Sequence, residues 1–403
     1  MSENSETRIV YLDNNATTMV DPEVYEVMKP YFCEFYGNPS SMHEFGGKVS
    51  KAVERAREQV KDFFGAKDAK EIIFTASGSE GDNMAIRGIL EANKNKKHII
   101  TTKIEHPAVL NVFKYFEKQG YDVTYLGVDS QGNLDLNELS NSVNEDTAIV
   151  SMMYANNETG VILPVEKAAK IIKQKNPKTK VHVDAVQAAG KIPFNVKDTE
   201  IDLMTIAGHK IHAPKGIGAL YVKTGTLLPA FIIGGHQERG KRAGTENVPY
   251  IVGLGKACEL AKKSLDFEIS EVKRLRDKLE NGILKSIYNA KVNGSTLNRV
   301  PNTTNIGFQY IEGELILLHL SDLGICASSG SACTSGSLEP SHVLKSMGVP
   351  FESLHGSIRF SLSRFTTEDE IDYVLKVLPD VIFKLNKISP YQRELKLLET
   401  NHK

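Results

Sequence analysis

One acid and one amine follow two apolar segments of the chain. Asp184 comes directly after the segment 181–183, and Lys210 comes shortly after the segment 202–206. If both segments are strands of one sheet, the two side chains lie at neighbouring strand ends. A pyridoxal phosphate enzyme needs this pair, because an acid keeps the pyridine nitrogen protonated and an amine bonds to the cofactor. Acids and lysines at strand ends are more often solvated, so the pair needs support from other residues.

A phosphate could bind where a predicted strand, 71–75, meets a predicted helix, 79–90. The segment 75–80 between them reads TASGSE. Main-chain N–H groups at a helix N-terminus, together with serine hydroxyls, can hold a phosphate. The alternative is ordinary capping of the helix by Ser77 or Ser79. The chain has no GxxxxGK[ST] motif, so a nucleoside triphosphate is not the favoured ligand.

Three further side chains could take part in chemistry. His106 precedes Pro107 at a predicted helix start, where an imidazole could stack on a flat ring or relay protons, although a single histidine is more often a capping or surface residue. Cys333 lies in the Ser- and Gly-rich segment 327–337, which suits a mobile nucleophilic thiol, or else a linker with an incidental cysteine. Arg359 lies in an apolar strand pattern, where it could clamp a carboxylate, pair with an internal acid or face solvent.

Composition argues against several classes of partner. The 403 residues carry 49 Lys+Arg and 50 Asp+Glu, so no basic excess favours nucleic-acid binding. No apolar run reaches the length of a membrane span and the first residues are polar, so we expect a cytoplasmic protein with no membrane partner. The cysteines are scattered, and His209 and His212 have no third ligand nearby, so we expect no disulfide framework and no metal site.

Alternating strand and helix patterns from about 48 to 260 predict an α/β fold. Continuous apolar strands between helices favour a mostly parallel sheet covered on both faces. After about 262 the pattern becomes α+β. We therefore predict a large domain over 20–261 and a small domain over 1–19 and 262–403 that carries the Cys loop, 327–337. The segments behind this prediction are, as helices, 48–64, 79–90, 269–288, 312–323 and 367–385, and, as strands, 71–75, 98–102, 147–153, 181–183, 202–206, 304–309 and 357–362.

Nine segments together resemble the cysteine desulfurases, in the class V branch of the fold-type I pyridoxal phosphate enzymes. They follow the family order along nearly the whole chain. The segments 235–240 and 242–247 are most similar to the nitrogen-fixation (NifS-like) type, and the long Cys segment is typical of the first of two desulfurase groups. The matching segments are 11–18 (YLDNNATT), 37–41 (GNPSS), 105–108 (EHPA), 155–160 (ANNETG), 182–187 (HVDAVQ), 208–210 (GHK), 242–245 (RAGT), 328–340 and 357–365.

The resemblance implies a role for each residue of the predicted site. Lys210 would carry the cofactor covalently and move protons on the substrate, and His106 would stack on the ring and help to move protons. Cys333 would take the sulfur of L-cysteine as a persulfide, leaving L-alanine. The other implied roles are Asp184 at the pyridinium nitrogen, Gln187 at the ring oxygen, Gly78, Ser79, His209 and, from the other subunit, Thr245 at the phosphate, and Asn157 and Arg359 at the substrate carboxylate.

The resemblance also implies an architecture and partners. The expected fold is a fold-type I transferase with a large, mostly parallel-sheet cofactor domain and a smaller α+β domain. The expected assembly is a homodimer, and the expected sulfur acceptor is an iron–sulfur scaffold or another protein.

Two departures and several alternatives qualify that expectation. Ala207 stands where many relatives have a hydroxyl residue, which predicts weaker cofactor binding, and the tail 389–403 does not match the scaffold-docking tail of the housekeeping (IscS-like) type. The alternatives are a selenocysteine lyase, an aminotransferase, or a non-catalytic scaffold or sulfur carrier. Cys333 argues against an aminotransferase, and the complete set of site residues argues against a non-catalytic protein.

Overall fold

The computed structural model of the protein describes residues 8–329 and 340–402. Each helix and strand expected from the sequence overlaps an observed one. The helices, in chain order, are α1 (Pro22–Met28), α2 (Pro30–Cys33), α3 (Glu44–Phe64), α4 (Gly78–Ala92), α5 (Pro107–Lys118), α6 (Leu136–Ser142), α7 (Val165–Lys175), α8 (Val248–Lys263), α9 (Leu265–Phe267), α10 (Lys273–Ser286), α11 (Gly313–Asp322), α12 (His342–Ser346), α13 (Phe351–Leu354), α14 (Glu368–Ile388) and α15 (Gln392–His402). The strands are β1 (Val10–Tyr11), β2 (Ile72–Thr75), β3 (His98–Thr102), β4 (Asp122–Leu126), β5 (Thr147–Met153), β6 (Lys180–Asp184), β7 (Leu203–Ala207), β8 (Gly218–Val222), β9 (Ala290–Val292), β10 (Thr303–Phe308), β11 (Ile325–Cys326) and β12 (Ser357–Ser361).

Seven strands form the central sheet, in the order β2-β8-β7-β6-β5-β3-β4. The strands from β7 to β4 are parallel to one another, and β8 is antiparallel to both of its neighbours. The expected mostly parallel α/β sheet is therefore confirmed. Most of its strands are buried along their whole length, which is why they read as continuous apolar runs.

Helices cover both faces of this sheet. Successive strand residues point to opposite faces, so Ile72 and Phe74 of β2 pack in one core with α3 and α8, whereas Ile73 packs in a second core with α4 and α5. Helix α3 begins one turn earlier than the sequence indicated, because the His43 ring accepts a hydrogen bond from the Gly46 N–H at 3.1 Å and so caps a glycine-containing first turn.

The carboxyl ends of several strands meet at one edge of the sheet. Strand β6 ends in Asp184, whose register partner on β7 is Thr205. A short 3-10 helix, Gly208–Lys210, follows β7 directly. Helix α5 begins shortly after β3, and α4 begins shortly after β2. This edge is where ligands bind in open α/β sheets, so the fold brings the predicted site residues towards one place.

A smaller part of the molecule is built on a three-stranded antiparallel sheet, β12-β10-β9. Helices α10, α11 and α14 pack in its core together with Val10 and Leu12 from the N-terminal segment, and β1 pairs in parallel with β11. The helix expected over 269–288 is continuous but begins with a π-helical turn, Glu268–Val272, ahead of α10. Among the described helices, none combines the length and apolarity needed to span a bilayer. The exact bounds of the two domains stay a prediction.

A buried ion pair fastens the segment after β8 to the edge of the central sheet. Arg57 of α3 donates to both carboxylate oxygens of Glu238, at 2.7 and 2.9 Å, and Glu238 also accepts from the Phe74 N–H at 3.1 Å. Glu238 and Arg239 have φ of 46° and 57°, backbone angles that residues other than glycine rarely adopt. The ion pair therefore holds a strained turn that leads to Thr245.

Arg57→Met should destabilise the fold, because it leaves the Glu238 carboxylate buried without its cation. We expect a loss of about 3–5 kcal/mol in the free energy of unfolding, measured by urea denaturation. Arg55→Met, on the exposed side of the same helix, is the matched control and should change stability by no more than about 0.5 kcal/mol. Equal effects of the two substitutions would contradict this account.

Candidate active site

Lys210 lies at the carboxyl edge of the sheet, at the end of the 3-10 helix that follows β7. Its ammonium donates hydrogen bonds to the main-chain carbonyls of Asn15 and Ala16, the second at 2.7 Å. The N-terminal segment thus lies directly against the amine and fixes its direction.

Asp184 is buried at the end of β6. One carboxylate oxygen accepts from the Val186 N–H at 2.9 Å, and among the described residues no cationic side chain donates to either oxygen. Burial raises the pKa of this carboxyl to about 6, against the opposing effects of the Val186 hydrogen bond and the charge of Lys210. A cation placed against such a buried carboxylate would stabilise it, and the protonated nitrogen of a pyridine ring is a cation of this kind.

Two more carboxyls, of Asp82 and Glu105, are buried near Asp184. Burial, and then the charge of Asp184, raise the pKa of Asp82, and burial raises the pKa of Glu105 to about 8. Glu105 Oε1 accepts from the Thr102 hydroxyl at 2.6 Å and from the Met153 N–H at 3.0 Å. Neighbouring buried carboxyls disfavour one another's ionisation, and with a pKa of about 6 against about 8 Asp184 ionises more readily than Glu105.

His182 lies beside these carboxyls as a neutral ring. Its Nδ1 is 2.8 Å from the Ser151 hydroxyl and its Nε2 is 3.0 Å from the Thr205 hydroxyl. Burial lowers the pKa of His182 to about 3. Asp82 Oδ1 is 3.6 Å from Nε2, which is too long for a hydrogen bond. His182 therefore adds no positive charge to the cluster.

His106 is the N-cap of α5, where its Nδ1 accepts from the Ala108 N–H at 3.2 Å. Burial, followed by the charges of Lys210 and His342, lowers the pKa of His106 to about 4. The imidazole is therefore neutral at neutral pH, with its proton on Nε2 because Nδ1 accepts. A neutral ring close to Lys210 can stack on a flat cofactor and exchange a proton through Nε2.

The N-terminus of α4 is formed around Gly78. Ser77 caps the helix through its hydroxyl, Gly78 is buried and Ser79 is exposed. A Cβ at Gly78 would lie 3.0 Å from Val186 Cγ2 and 3.3 Å from Ala207 Cβ, so any side chain here would press against the strand ends and force these neighbours to shift. The main-chain N–H groups and the Ser79 hydroxyl suit a phosphate.

His209 and Thr245, the other expected phosphate ligands, have different surroundings. The His209 Nδ1 is 3.2 Å from the Thr17 hydroxyl, and burial, then the charge of Lys210, lowers its pKa to about 4. Thr245 is exposed and lines a cavity of about 230 Å³ with Ala76 of the same chain, just before α4. A contribution of Thr245 to the site of another subunit stays a prediction.

Gln187 belongs to a hydrogen-bonded group beside the amine. Its side-chain nitrogen donates to the Asn15 carbonyl at 3.0 Å, and its side-chain oxygen accepts from Lys191 Nζ at 2.8 Å. Lys191 Nζ also donates to Asn15 Oδ1 at 3.3 Å. Since the Asn15 carbonyl accepts from Lys210 as well, the four residues form one connected group.

Arg359 is buried on β12, where the smaller part meets the rest of the molecule. Its Nη2 donates to Asp13 Oδ1 at 2.7 Å and its Nη1 donates to the Asn157 carbonyl at 2.8 Å. The sequence left three alternatives for Arg359: a carboxylate clamp, an internal ion pair or exposure to solvent. The structure contains the internal ion pair, with Asp13. The buried Nε of Arg359 has no hydrogen-bond partner among the described residues, which leaves a donor for a substrate carboxylate. The substrate roles of Arg359 and Asn157 stay predictions.

Cys333, the expected sulfur acceptor, lies outside the described residues, and so do the other residues of the segment 330–339. Of the remaining cysteines, Cys33 is exposed, Cys326 is partly buried and Cys258 is buried, and all three are free. Within the described parts of the chain, no cluster of three His, Cys, Asp or Glu side chains could hold a metal ion.

The residues at this edge fit pyridoxal phosphate. Asp184 supplies a buried carboxylate to which no cation of the described residues is bonded, and Lys210 supplies the amine at the neighbouring strand end. His106 supplies a neutral ring, and the glycine-lined N-terminus of α4 offers main-chain donors to a phosphate. Acid, amine, flat ring and anion site are the four features that this cofactor requires.

Sequence reasoning missed the residues that support this site. Asn15 received no role of its own, although it lies in a polar run after β1 that matched the family pattern. Lys191 is a charged residue in the otherwise apolar run AAGKIPF, which was a usable signal. The burial of Asp82 and Glu105 left no signal, because acids near strand ends and helix starts are normally exposed.

Comparison with known proteins agrees with this geometry. The chain matches the family model described as aminotransferase class-V over residues 10–374. A cysteine desulfurase of Nostoc sp. is 60% identical over 386 residues, which cover 96% of each chain. The cysteine desulfurase NifS of Azotobacter vinelandii is 51% identical over 382 residues, covering 95% of this chain and 94% of that protein. A solved NifS-like protein has a TM-score of 0.89 at 42% identity, covering 94% of this chain and 100% of the other.

Glu105→Gln should change how stability depends on pH. The folded protein holds this proton up to about pH 8, whereas the ordinary pKa is 4.5, so the contribution of Glu105 to stability is complete below pH 4.5 and is lost as the pH rises to 8. The variant should therefore gain stability relative to the native protein over this range, by up to about 1.4 kcal/mol per pH unit.

Denaturation midpoints at pH 5, 6, 7 and 8 test this expectation. The difference in midpoint between each variant and the native protein isolates the effect of Glu105, because Asp82 and Asp184 are present in both proteins and titrate in the same sense. The control is Glu91→Gln, at an exposed position of α4, which should leave the pH profile unchanged. Parallel profiles for Glu105→Gln and the native protein would show that Glu105 is not protonated in the fold.

Proposed function

The chain belongs to the class-V aminotransferase family, and from this we propose that it is a pyridoxal phosphate-dependent cysteine desulfurase. The observation that carries the proposal is the buried Asp184 carboxylate beside the Lys210 amine, in a chain 60% identical to a cysteine desulfurase over 96% of its length. The net reaction converts L-cysteine and the Cys333 thiol into L-alanine and a Cys333 persulfide, so all atoms are accounted for.

When bound, pyridoxal phosphate supplies an electron-withdrawing ring that makes the proton on the α-carbon of the amino acid acidic. Lys210 would hold the cofactor and, once released from it, would take that proton and return one. Asp184 would place its negative charge against the ring nitrogen, while burial raises the pKa of the neighbouring carboxyls of Asp82 and Glu105. His106 would stack on the ring and exchange a proton at Nε2.

The other site residues orient the cofactor and the substrate. Gln187 would donate a side-chain N–H to the ring oxygen. The phosphate would be held by the α4 N-terminus at Gly78 and Ser79 and by His209, together with Thr245 of a second subunit. Arg359 and Asn157 would bind the substrate carboxylate, which would select amino acids.

Sulfur transfer requires a thiolate that reaches the substrate. Cys333 as the thiolate attacks the substrate sulfur, an S–S bond forms, and the bond between that sulfur and the β-carbon breaks. The electron pair stays with the β-carbon, which takes up one proton to become the methyl group of alanine. The carbon is reduced by two electrons, and each of the two sulfurs of the persulfide is oxidised by one. A thiol of an acceptor protein then removes the outer sulfur by exchange.

We also propose the setting in which this reaction occurs. The acceptor is an iron–sulfur scaffold or another sulfur-binding protein, on the basis of the similarity to NifS-type enzymes. The three described free cysteines fit a reducing compartment such as the cytoplasm. A homodimer is supported by large apolar side chains that are exposed, among them Tyr36, Met42 and Ile233.

Alanine formation from L-cysteine in the presence of dithiothreitol tests the reaction. The native protein should produce alanine, and Cys333→Ala should lower the rate by about 100-fold or more while the yellow cofactor stays bound. Lys210→Ala should abolish turnover. Cys33→Ala, which removes an exposed thiol, is the control and should match the native rate. A yellow native protein that makes no alanine would disprove the substrate but not the cofactor, and selenocysteine would be tried next.

The dimer has its own test, because it concerns the surface and not the reaction. Sedimentation equilibrium of the native protein should give twice the mass of the chain, and Ile233→Asp should shift the mass towards a single chain. Leu297→Asp changes an equally exposed apolar residue, 96% against 90% exposed, in the loop between β9 and β10 of the smaller part, and should leave the mass unchanged. A native mass of one chain would contradict the dimer.

A further inference from the structure

Lys191 is a buried lysine that neither the fold nor the proposed reaction has yet explained. It follows the Asp184 strand end by seven residues, in the turns that carry Gln187. Its side chain is 6% exposed, and its hydrogen bonds go to two neutral oxygens, Gln187 Oε1 at 2.8 Å and Asn15 Oδ1 at 3.3 Å. Burying an ammonium without an ion pair is costly, so a purely structural lysine would be replaced without loss by an apolar side chain of similar size.

The Lys191 amine determines which way the Gln187 amide points. Its Nζ donates to the Gln187 oxygen at 2.8 Å, and both the ammonium and the neutral amine carry N–H groups for this bond. The Gln187 oxygen is therefore directed at Lys191, and its NH₂ group is directed at the Asn15 carbonyl beside Lys210. Without the ammonium, the Gln187 amide could turn over and present an acceptor where the site needs a donor.

Asn15 does not depend on Lys191 alone. Its side-chain oxygen accepts from Lys191 and from the Asn302 amide at 3.1 Å, and its side-chain nitrogen donates to the Thr303 hydroxyl at 2.9 Å. Its main-chain carbonyl accepts from both Lys210 and Gln187. Among the described residues, Lys191 is the donor to the Gln187 oxygen, so Gln187 is the group whose direction depends on Lys191.

We infer that Lys191 is a positioning residue that holds the Gln187 amide with its NH₂ group towards the ring oxygen of pyridoxal phosphate. The inference rests on the proposed function. Lys191 touches neither cofactor nor substrate in this account and acts through Gln187. Lys191 and Lys210 line one small cavity, which also contains the carboxyl of Glu268.

The charges around Lys191 agree with a buried amine that has no bonded counter-ion. Burial, and then the charge of Lys210, lowers the pKa of Lys191 to about 7, with a smaller opposing effect of Glu268 and a further lowering by Arg359. Burial in turn raises the pKa of Glu268 to about 7, although Lys191 and Arg364 oppose it. Lys191 thus depends on the amide oxygens of Gln187 and Asn15 for its hydrogen bonds.

A double-mutant cycle on cofactor binding tests the inference. The variants are Lys191→Met, Gln187→Leu and the double variant, each prepared without cofactor and titrated with pyridoxal phosphate while the absorbance of the bound form is recorded. We expect each single substitution to raise the dissociation constant by about tenfold, the effect of one lost hydrogen bond. We expect the double variant to be no weaker than either single one, because Lys191 acts only through Gln187.

Several outcomes separate this inference from others. Native-like affinity for Lys191→Met, or a double variant about 100-fold weaker than the native protein, would show that Lys191 does not act through Gln187. Lys197→Met, at an exposed lysine of the same region, is the control and should bind the cofactor as the native protein does. Thermal melting of each cofactor-free variant establishes that it is folded, and Lys191→Gln replaces Lys191→Met in the cycle if the methionine variant does not fold.

The test is independent of desulfurase turnover. A native protein that binds pyridoxal phosphate but produces no alanine would contradict the proposed substrate, and the binding cycle would still decide the role of Lys191. The absorbance of the bound cofactor as a function of pH gives a second measurement. Its apparent pKa should move in the same direction in Lys191→Met and Gln187→Leu, whereas a substitution that only loosens packing would lower the melting temperature and leave this value in place.

Discussion

The site depends on the way Asn15 joins the two parts of the molecule at the Lys210 amine. Asn15 lies between β1 and α1, and its main-chain carbonyl accepts from Lys210 and Gln187. Its main-chain N–H donates to the Ser361 hydroxyl on β12 of the smaller part. Every polar group of this residue therefore has a partner, and the partners come from both parts of the molecule. The amine can hold one position only while the smaller part is docked on the central sheet.

The second constraint is that the strand edge is buried away from water. Three carboxyls are buried around the end of β6, where burial raises the pKa of each, and Glu105 has two donors, the Thr102 hydroxyl and the Met153 N–H. Asp184 lies where the ring nitrogen of the cofactor would supply a matching cation. The neutral rings of His106 and His182 add no competing positive charge. The electrostatic design thus concentrates one charge of each sign at neighbouring strand ends.

Much of the fold could be anticipated from sequence, because the signals are local. Apolar runs such as 147–153 give buried strands, and the apolar spacing from Val49 to Val60 gives the inner face of α3. The antiparallel direction of β8 had no such signal, since it depends on where the chain returns to the sheet. The π-helical turn at 268–272 was also invisible, because a helical pattern does not reveal one extra residue in a turn.

For the candidate site, the sequence alone determined the types of group present: an acid and an amine after strands, a histidine before a helix, and a glycine at a helix start. It could do so because these positions follow from the order of local elements and the common edge of parallel strands. Only the tertiary structure decided how those groups are charged and held. Asn15 meets Lys210 across 195 positions and Arg359 meets Asp13 across 346. Burial and such distant contacts set protonation and amide orientation, and neither can be read from neighbours in the chain.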